Sequence, residues 1–223
     1  MTSCFMDGVK GDGNVVSKKR KISDDFAKVT VSRGLDVHLT KSSNVGLVVE
    51  ADANLHDLIE TTVENGVLRI TSKRNIWSAS SKKILLSVDH LNAIHVNSGA
   101  EVIGENTFST DELTIDVSSG AFARMDLEVG DLTCNSSSGA DIKISGEAEQ
   151  LHLSSSSGSD INAYKLEAKN CKANASSGSD IRLHATETFE GEATSGADIS
   201  FKGSPQVIKQ VDNSGGSVRN VGA

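Results

Sequence analysis

Serine, aspartate and histidine recur in this chain at spacings that invite a chemical reading. Serine runs at Ser136–Ser138 and Ser154–Ser157 lie near histidines and acids, the residue types of a nucleophilic triad. No G-x-S-x-G elbow accompanies them, and each run belongs to a repeated phrase, so no catalytic residue is expected. Asp141, Asp160, Asp180 and Asp198 each follow a glycine by two residues, and stacked carboxylates are hard ligands suited to calcium. The six histidines, His38, His56, His90, His95, His152 and His184, show neither H-E-x-x-H nor any tight ligand spacing and read as surface or strand residues. "GVKGDGN" near the start lacks both the P-loop and the dinucleotide fingerprint, and reads as a flexible leader.

The phrase that carries the serines and aspartates must position them, and it is a repeat. Its glycine recurs at Gly99, Gly120, Gly139, Gly158, Gly178, Gly196 and Gly215, with intervals of 21, 19, 19, 20, 18 and 19 residues. Five and three residues before the glycine stand pairs such as Ile115 and Val117 or Leu153 and Ser155; three and five after it stand Ile142 and Ile144 or Ile181 and Leu183. These alternate with polar residues, so each unit holds two half-buried strands. Such a unit cannot bury its apolar side alone, and successive units must stack. The expected fold is all-β: a β-solenoid, or single-stranded β-helix, with two facing sheets and about 19–20 residues per coil. The glycines supply tight corners of positive φ. Narrowing from Ile115 and Val117 to Ala173, Ala175 and Ala193 predicts that large residues of one sheet meet small ones of the other.

With one proline, twenty glycines and 4% aromatic residues in 223, the chain cannot build a large aromatic core. Residues 1–20 read as a flexible leader or lipoprotein tether, and 21–223 as one β-helix domain, with degenerate coils over 21–95 and regular repeats over 96–223. Asn65-Gly66 signals a tight turn, whereas "DANLHDLIETTV" reads equally as a strand or as a short helix capped by Asp52 or Asn54. Alternation places the four aspartates outside in a column about 4.8 Å apart, where neighbours repel by roughly 0.9 kcal/mol in water. Arg124, Lys143, Arg182 and Arg219 lie nearby on that face, and turn N–H groups offer further partners, so a structural turn ladder is the first reading and a cation column the second.

Of three cysteines, Cys134 and Cys171 fall about two coils apart, near 9.6 Å, beyond the roughly 7 Å Cα limit for a disulfide. They read as buried free thiols. Cys4, after small residues in "TSC", is the candidate lipid-bearing residue; the alternative is a terminal cysteine of no consequence. Trp77, the single tryptophan, lies in a polar and basic loop, where it either contacts a ligand or folds back over the first coils. No segment reaches 18 apolar residues, and a net charge of −8 argues against nucleic acid.

The opening "GDGNVVSKKRKISDDFAKVTVSRGLDVHLT", then "VEADANLHDLIETTVENGVLRI", then the tandem SG-A/S-D phrases resemble the putative auto-transporter adhesin family with a head GIN domain, found mostly in Bacteroidetes envelope proteins. The resemblance runs from about Gly11 to Val221. It implies a β-helical fold, an exported periplasmic or surface location and a proposed adhesion role, with no catalytic residue to carry over. Phe122 departs from the pattern by replacing the acidic residue after Gly120, and that coil is expected to bulge. The leading functional expectation is thus a non-enzymatic envelope scaffold for an unidentified protein or glycan, with a lipid anchor and self-association through the solenoid end or edge as further expectations. A calcium- or glycan-binding module is the alternative. A polysaccharide lyase-like enzyme ranks last, because the aspartates form a column instead of a converging cluster.

Overall fold

Seven glycine corners demand coils that wind in one direction, and a computed structural model shows such coils; it describes residues 8–222, the side chains of 207 and 208 excepted. The first part of the chain contains β1 (Val9–Lys10), β2 (Val15–Arg20), β3 (Lys28–Val31), β4 (Asp36–Lys41), β5 (Gly46–Asp52), β6 (Ile59–Glu64), β7 (Val67–Ser72), β8 (Ile76–Ser78) and β9 (Lys82–Val88). The repeats supply β10 (Ala93–Val96), β11 (Glu101–Gly104), β12 (Phe108–Ser118), β13 (Phe122–Ser137) and β14 (Asp141–Ser156). They continue with β15 (Asp160–Ser176), β16 (Asp180–Thr194), β17 (Asp198–Lys202), β18 (Gln206–Asn213) and β19 (Ser217–Asn220).

From β10 onward every pairing is parallel and joins one coil to the next, which is a β-solenoid. Equivalent residues stack: Ile115, Cys134, Leu153, Ala173 and Gly191 form one inward column. The predicted compensation of large by small is present at the thin end of that column. Phe189 and Phe201 stack at 4.2 Å between ring centroids, and a Cβ on Gly191 would meet the Phe189 ring at 2.5 Å. Within β14, buried positions run Ile142, Ile144, then Ala148, then Leu151, Leu153, Ser155. The alternation slips between Ala148 and Leu151, and a strand of period two can change its inward parity only by turning or bulging. Differences in coil length are absorbed by shifts between Lys143 and Ser145 and between Ala163 and Glu167. No shift occurs at Phe122, which pairs with Glu101 and Asp141 in register, so the bulge expected there is absent.

The first third does not form coils in chain order. β3 and β4, joined by an Arg33-Gly34 corner of positive φ, make one coil that pairs in parallel with β10 and β11. On the other side the same coil pairs in parallel with β7 and β9. Beyond these, β6 runs antiparallel to β7, β5 antiparallel to β9, and β2 antiparallel to β5. The succession of degenerate coils expected over 21–95 is therefore corrected to two coil-like layers closed by antiparallel strands. The Asn65-Gly66 turn, with φ of 51° and 75°, reverses the chain into a hairpin instead of carrying it round a coil. "DANLHDLIETTV" gives a single 3-10 turn, Ala53–Leu55, and then β6, because Thr61, Thr62 and Val63 favour the extended state. Within the expected leader, β1 pairs with β8 and β2 with β5. Residues 1–7, including Cys4, lie outside the described residues.

Candidate functional site

Each repeated corner turns on two residues of positive φ, not one. Ser157 and Gly158 have φ of 56° and 66°, and the Ser-Gly pairs from Ser98-Gly99 to Ser214-Gly215 match them. This is the geometry of a type I′ turn, closed in several corners by an i+3 to i bond such as Ala100 N donating to Asn97 O at 3.2 Å. Corners also bond to one another. Gly139 N donates to Ser157 O at 3.2 Å, Gly158 N to Ser177 O at 3.1 Å and Gly178 N to Ser195 O at 3.1 Å. The serines inside the corner are occupied by the same task. Buried Ser136 Oγ donates to Ala140 O at 2.8 Å, and buried Ser155 Oγ donates to Ser159 O at 2.9 Å. These hydroxyls are spent on the backbone of their own turns, and among the described residues no hydrogen bond joins either of them to a histidine.

The aspartates stand in one file, as register requires: Phe122, Asp141, Asp160, Asp180 and Asp198 are successive partners. Arg219 pairs with Asp198 at 2.7 Å and Arg182 reaches Asp180 at 3.9 Å. Among the described residues no group of three or more His, Cys, Asp or Glu converges as a metal cage. The histidines are dispersed: His38 pairs with Glu105, His95 with Asp116 at 2.8 Å, and buried His56 shares its Nε2 with Val16 O at 3.0 Å. Cys134 and Cys171 are buried free thiols. Burial raises both, Cys171 to about 12, which keeps it protonated and unreactive.

One concavity among the described residues was not singled out by the glycine-centred reading. A groove of about 740 Å³ crosses the coils where the alternation slips, with Val129, Gly130 and Ala148 among its lining residues. Its wall is a ladder of carboxylates, because Glu128, Glu147 and Glu167 are successive register partners. Glu149, also in the lining, pairs with Lys169 at 2.6 Å. That contact holds the lysine amine above its ordinary range, through the hydrogen bond first and the charge second. The signal was in the sequence: Glu128 and Glu147 each follow their corner glycine by eight residues and Glu167 by nine. Carboxylates about 4.8 Å apart repel one another, so a ligand bearing spaced positive charge gains more from the row than from isolated acids.

In the first third of the chain, Asp52 is fully buried and accepts N–H bonds from Gly13 at 2.9 Å, Ser80 at 3.0 Å and Ser81 at 3.0 Å. Desolvation pushes this carboxyl up, but the bonds from Gly13, Ser81 and Ser80 outweigh it and hold it below the usual range. Trp77 is 65% exposed on β8.

Residues 25–205 match the model of the family described as "Putative auto-transporter adhesin, head GIN domain". A putative adhesin from Bacteroides fragilis is similar over 96% of this chain and 100% of its own, at 24% identity and a TM-score of 0.88. One from Parabacteroides distasonis covers 96% and 100% at 22% identity and 0.79, and one from Parabacteroides merdae 96% and 99% at 21% identity and 0.78. At these identities the likeness is one of fold. No curated protein matches the chain.

Proposed function

The chain belongs to the putative auto-transporter adhesin, head GIN domain family, and from that premise we propose that it is a non-enzymatic adhesion scaffold of the cell envelope whose contact face is the acidic groove. The ligand that fits is an extended, cationic segment of a partner protein. The observation that carries this reading is the Glu128–Glu147–Glu167 ladder along a groove of about 740 Å³. The ladder's pitch of about 4.8 Å per coil is the strand repeat, and side chains on one face of an extended peptide recur every 6.6–7 Å or so, so lysines on such a segment pass within reach of successive carboxylates. Export, with Cys4 as the lipid-bearing residue, accompanies this reading on the strength of the family and the "TSC" sequence.

The test is calorimetric titration with an oligolysine peptide at low and physiological salt, using the natural chain and the E128Q/E147Q/E167Q variant. Binding that weakens with salt and falls at least tenfold in the variant is expected. Equal affinity for both proteins would sink the groove as the contact face. Calcium belongs in the same titration, because Asp141 and Asp160 are adjacent in register and neither carries an ion pair among the described residues. Tight calcium binding abolished by D141N/D160N would establish the cation-binding alternative.

A further inference from the structure

The most exposed large apolar side chain in the described molecule is Trp77, at 65%. It sits on the two-stranded ribbon of β1 and β8, which is separate from the main sheet. Val9 and Ile76 pack inward against the core. Strand alternation then turns Gly8, Lys10 and Trp77 to the outer face, and a Cβ on Gly8 would meet the indole Cδ1 at 2.7 Å. The indole therefore packs against Gly8, just before β1, and leaves most of its surface open. Lys10 on β1, and Lys73, Arg74 and Asn75 in the turn that leads into β8, are exposed as well. Lys73 donates from its amine to Asp57 O at 3.1 Å.

This local pattern sits within a charge division of the whole rod. Residues 1–92 carry thirteen Lys and Arg against eleven Asp and Glu, whereas residues 93–223 carry nine against nineteen. The solenoid shaft is thus strongly acidic and the closed end is not. Lysines on the outer strand β2, Lys18 and Lys19, serve as guards against edge pairing; edge protection gives no reason for an open tryptophan on the ribbon that carries Lys10.

We propose that the β1–β8 ribbon is a membrane-contact surface that docks on anionic lipid headgroups, with Trp77 in the interfacial layer and Lys10 and Lys73 on lipid phosphates. Tryptophan suits this layer because one side of the indole is apolar and its N–H finds polar partners there. Basic residues beside it add attraction to an anionic leaflet. Two modest signals together hold a protein reversibly where one alone does not. The acidic shaft is repelled by the same surface, so the rod stands on its closed end and presents its coils, groove included, away from the bilayer. This holds with or without a lipid on Cys4 and does not depend on what the groove binds.

Because Trp77 is the single tryptophan, its fluorescence reports on the site directly. The full chain without lipid modification is mixed with vesicles of phosphatidylcholine alone and of phosphatidylcholine with phosphatidylglycerol, and sedimentation and emission are followed. Expected are binding to the anionic vesicles only, a blue shift of Trp77 on binding, and loss with added salt. Each lysine removed should weaken binding about fivefold, so the K10Q/K73Q variant should lose about 25-fold. The W77S variant should bind more weakly while keeping the salt dependence. Binding to neutral vesicles equal to anionic ones, an unmoved emission maximum, or natural affinity in K10Q/K73Q would each overturn the proposal. So would quenching of Trp77 by oligosaccharides without any vesicle binding.

Discussion

The closed end and the regular coils solve one problem, burying a β face, with opposite means. In the coils each residue has its equivalent one coil away, and stability rests on a small unit repeated: parallel ladders, Ser-Gly corners bonded to one another, and inward columns such as Ile115, Cys134, Leu153, Ala173 and Gly191. At the closed end, beyond the β3–β4 coil and the β7 and β9 strands stacked on it, there are no equivalents. β2, β5 and β6 run antiparallel, and one buried carboxylate, Asp52, ties Gly13 to Ser80 and Ser81 across long separations in sequence. The contrast teaches where each region is vulnerable. A coil is damaged where its backbone approaches the next coil, and the cap is damaged at its single clasp.

The largest effect is expected where the coil backbone has no room. Gly146 has φ of 109°, and a Cβ there would stand 1.9 Å from Leu127 O. Gly146→Ala combines a backbone region reserved for glycine with a clash against a carbonyl that is fixed in the ladder. A loss of ~3 kcal/mol or more in chemical denaturation is expected. A loss below ~1 kcal/mol would mean that the coils slide past one another more freely than their register implies.

Next comes the clasp. Asp52→Asn keeps the shape but turns an amide N–H toward donors and removes the charge that the three N–H groups favour, so the cap should open before the coils. Hydrogen exchange should rise in β1, β2 and the Ser80–Ser81 segment while β13–β15 stay protected. The pH dependence follows the same group. Because the folded carboxyl sits below its unfolded value, it contributes stability that is present above the unfolded pKa and is lost as pH falls through the depressed folded one. The natural chain should therefore lose cap protection in acid, and D52N should show a flatter acid limb. Uniform loss across cap and coils would erase the distinction between the two regions.

The same distinction decides what was legible in the sequence. The glycine period and the inward pairs about it gave the solenoid, its corners and the aspartate file, because in a repeat every coil votes for the same register. The cap has no second copy to vote. Alternation in β5, β6 and β9 announces strands but not their direction, and nothing local to Asp52 shows that it is the partner of Gly13, Ser80 and Ser81. The Asn65-Gly66 hairpin was visible, yet the pairing of β7 under β3 was not, since it depends on which chain segment reaches the end of the stack first. The acidic groove fell between: its glutamates recur at nearly fixed offsets from the glycines, but its concavity arises where the alternation slips at Ala148 and Leu151, a feature of three dimensions. Serine's share of the corner was also hidden, since positive φ in a residue other than glycine is uncommon.

That hidden share gives the smallest and most discriminating expectation. Ser157 is exposed, has φ of 56°, and lends its carbonyl to Gly139 N at 3.2 Å; a Cβ on Gly158 would find nothing within 4 Å. Both residues therefore bear a conformational cost and no steric one. Asparagine tolerates the left-handed region better than serine, so Ser157→Asn should stabilise by a few tenths of a kcal/mol. Gly158→Ala, with open space but the wrong φ preference, should cost about 1 kcal/mol. The pair separates backbone preference from packing at one corner, where Gly146 combines them. If Ser157→Asn instead destabilises the chain, the corner-to-corner ladder is set by something other than the turn's own φ, and the coils are less self-sufficient than their repetition suggests. If both values are as expected, introducing asparagine at Ser138, Ser177 and Ser195 as well should give a total that departs from the sum of the single effects, because neighbouring corners stand about 4.8 Å apart and bond to one another through their backbones.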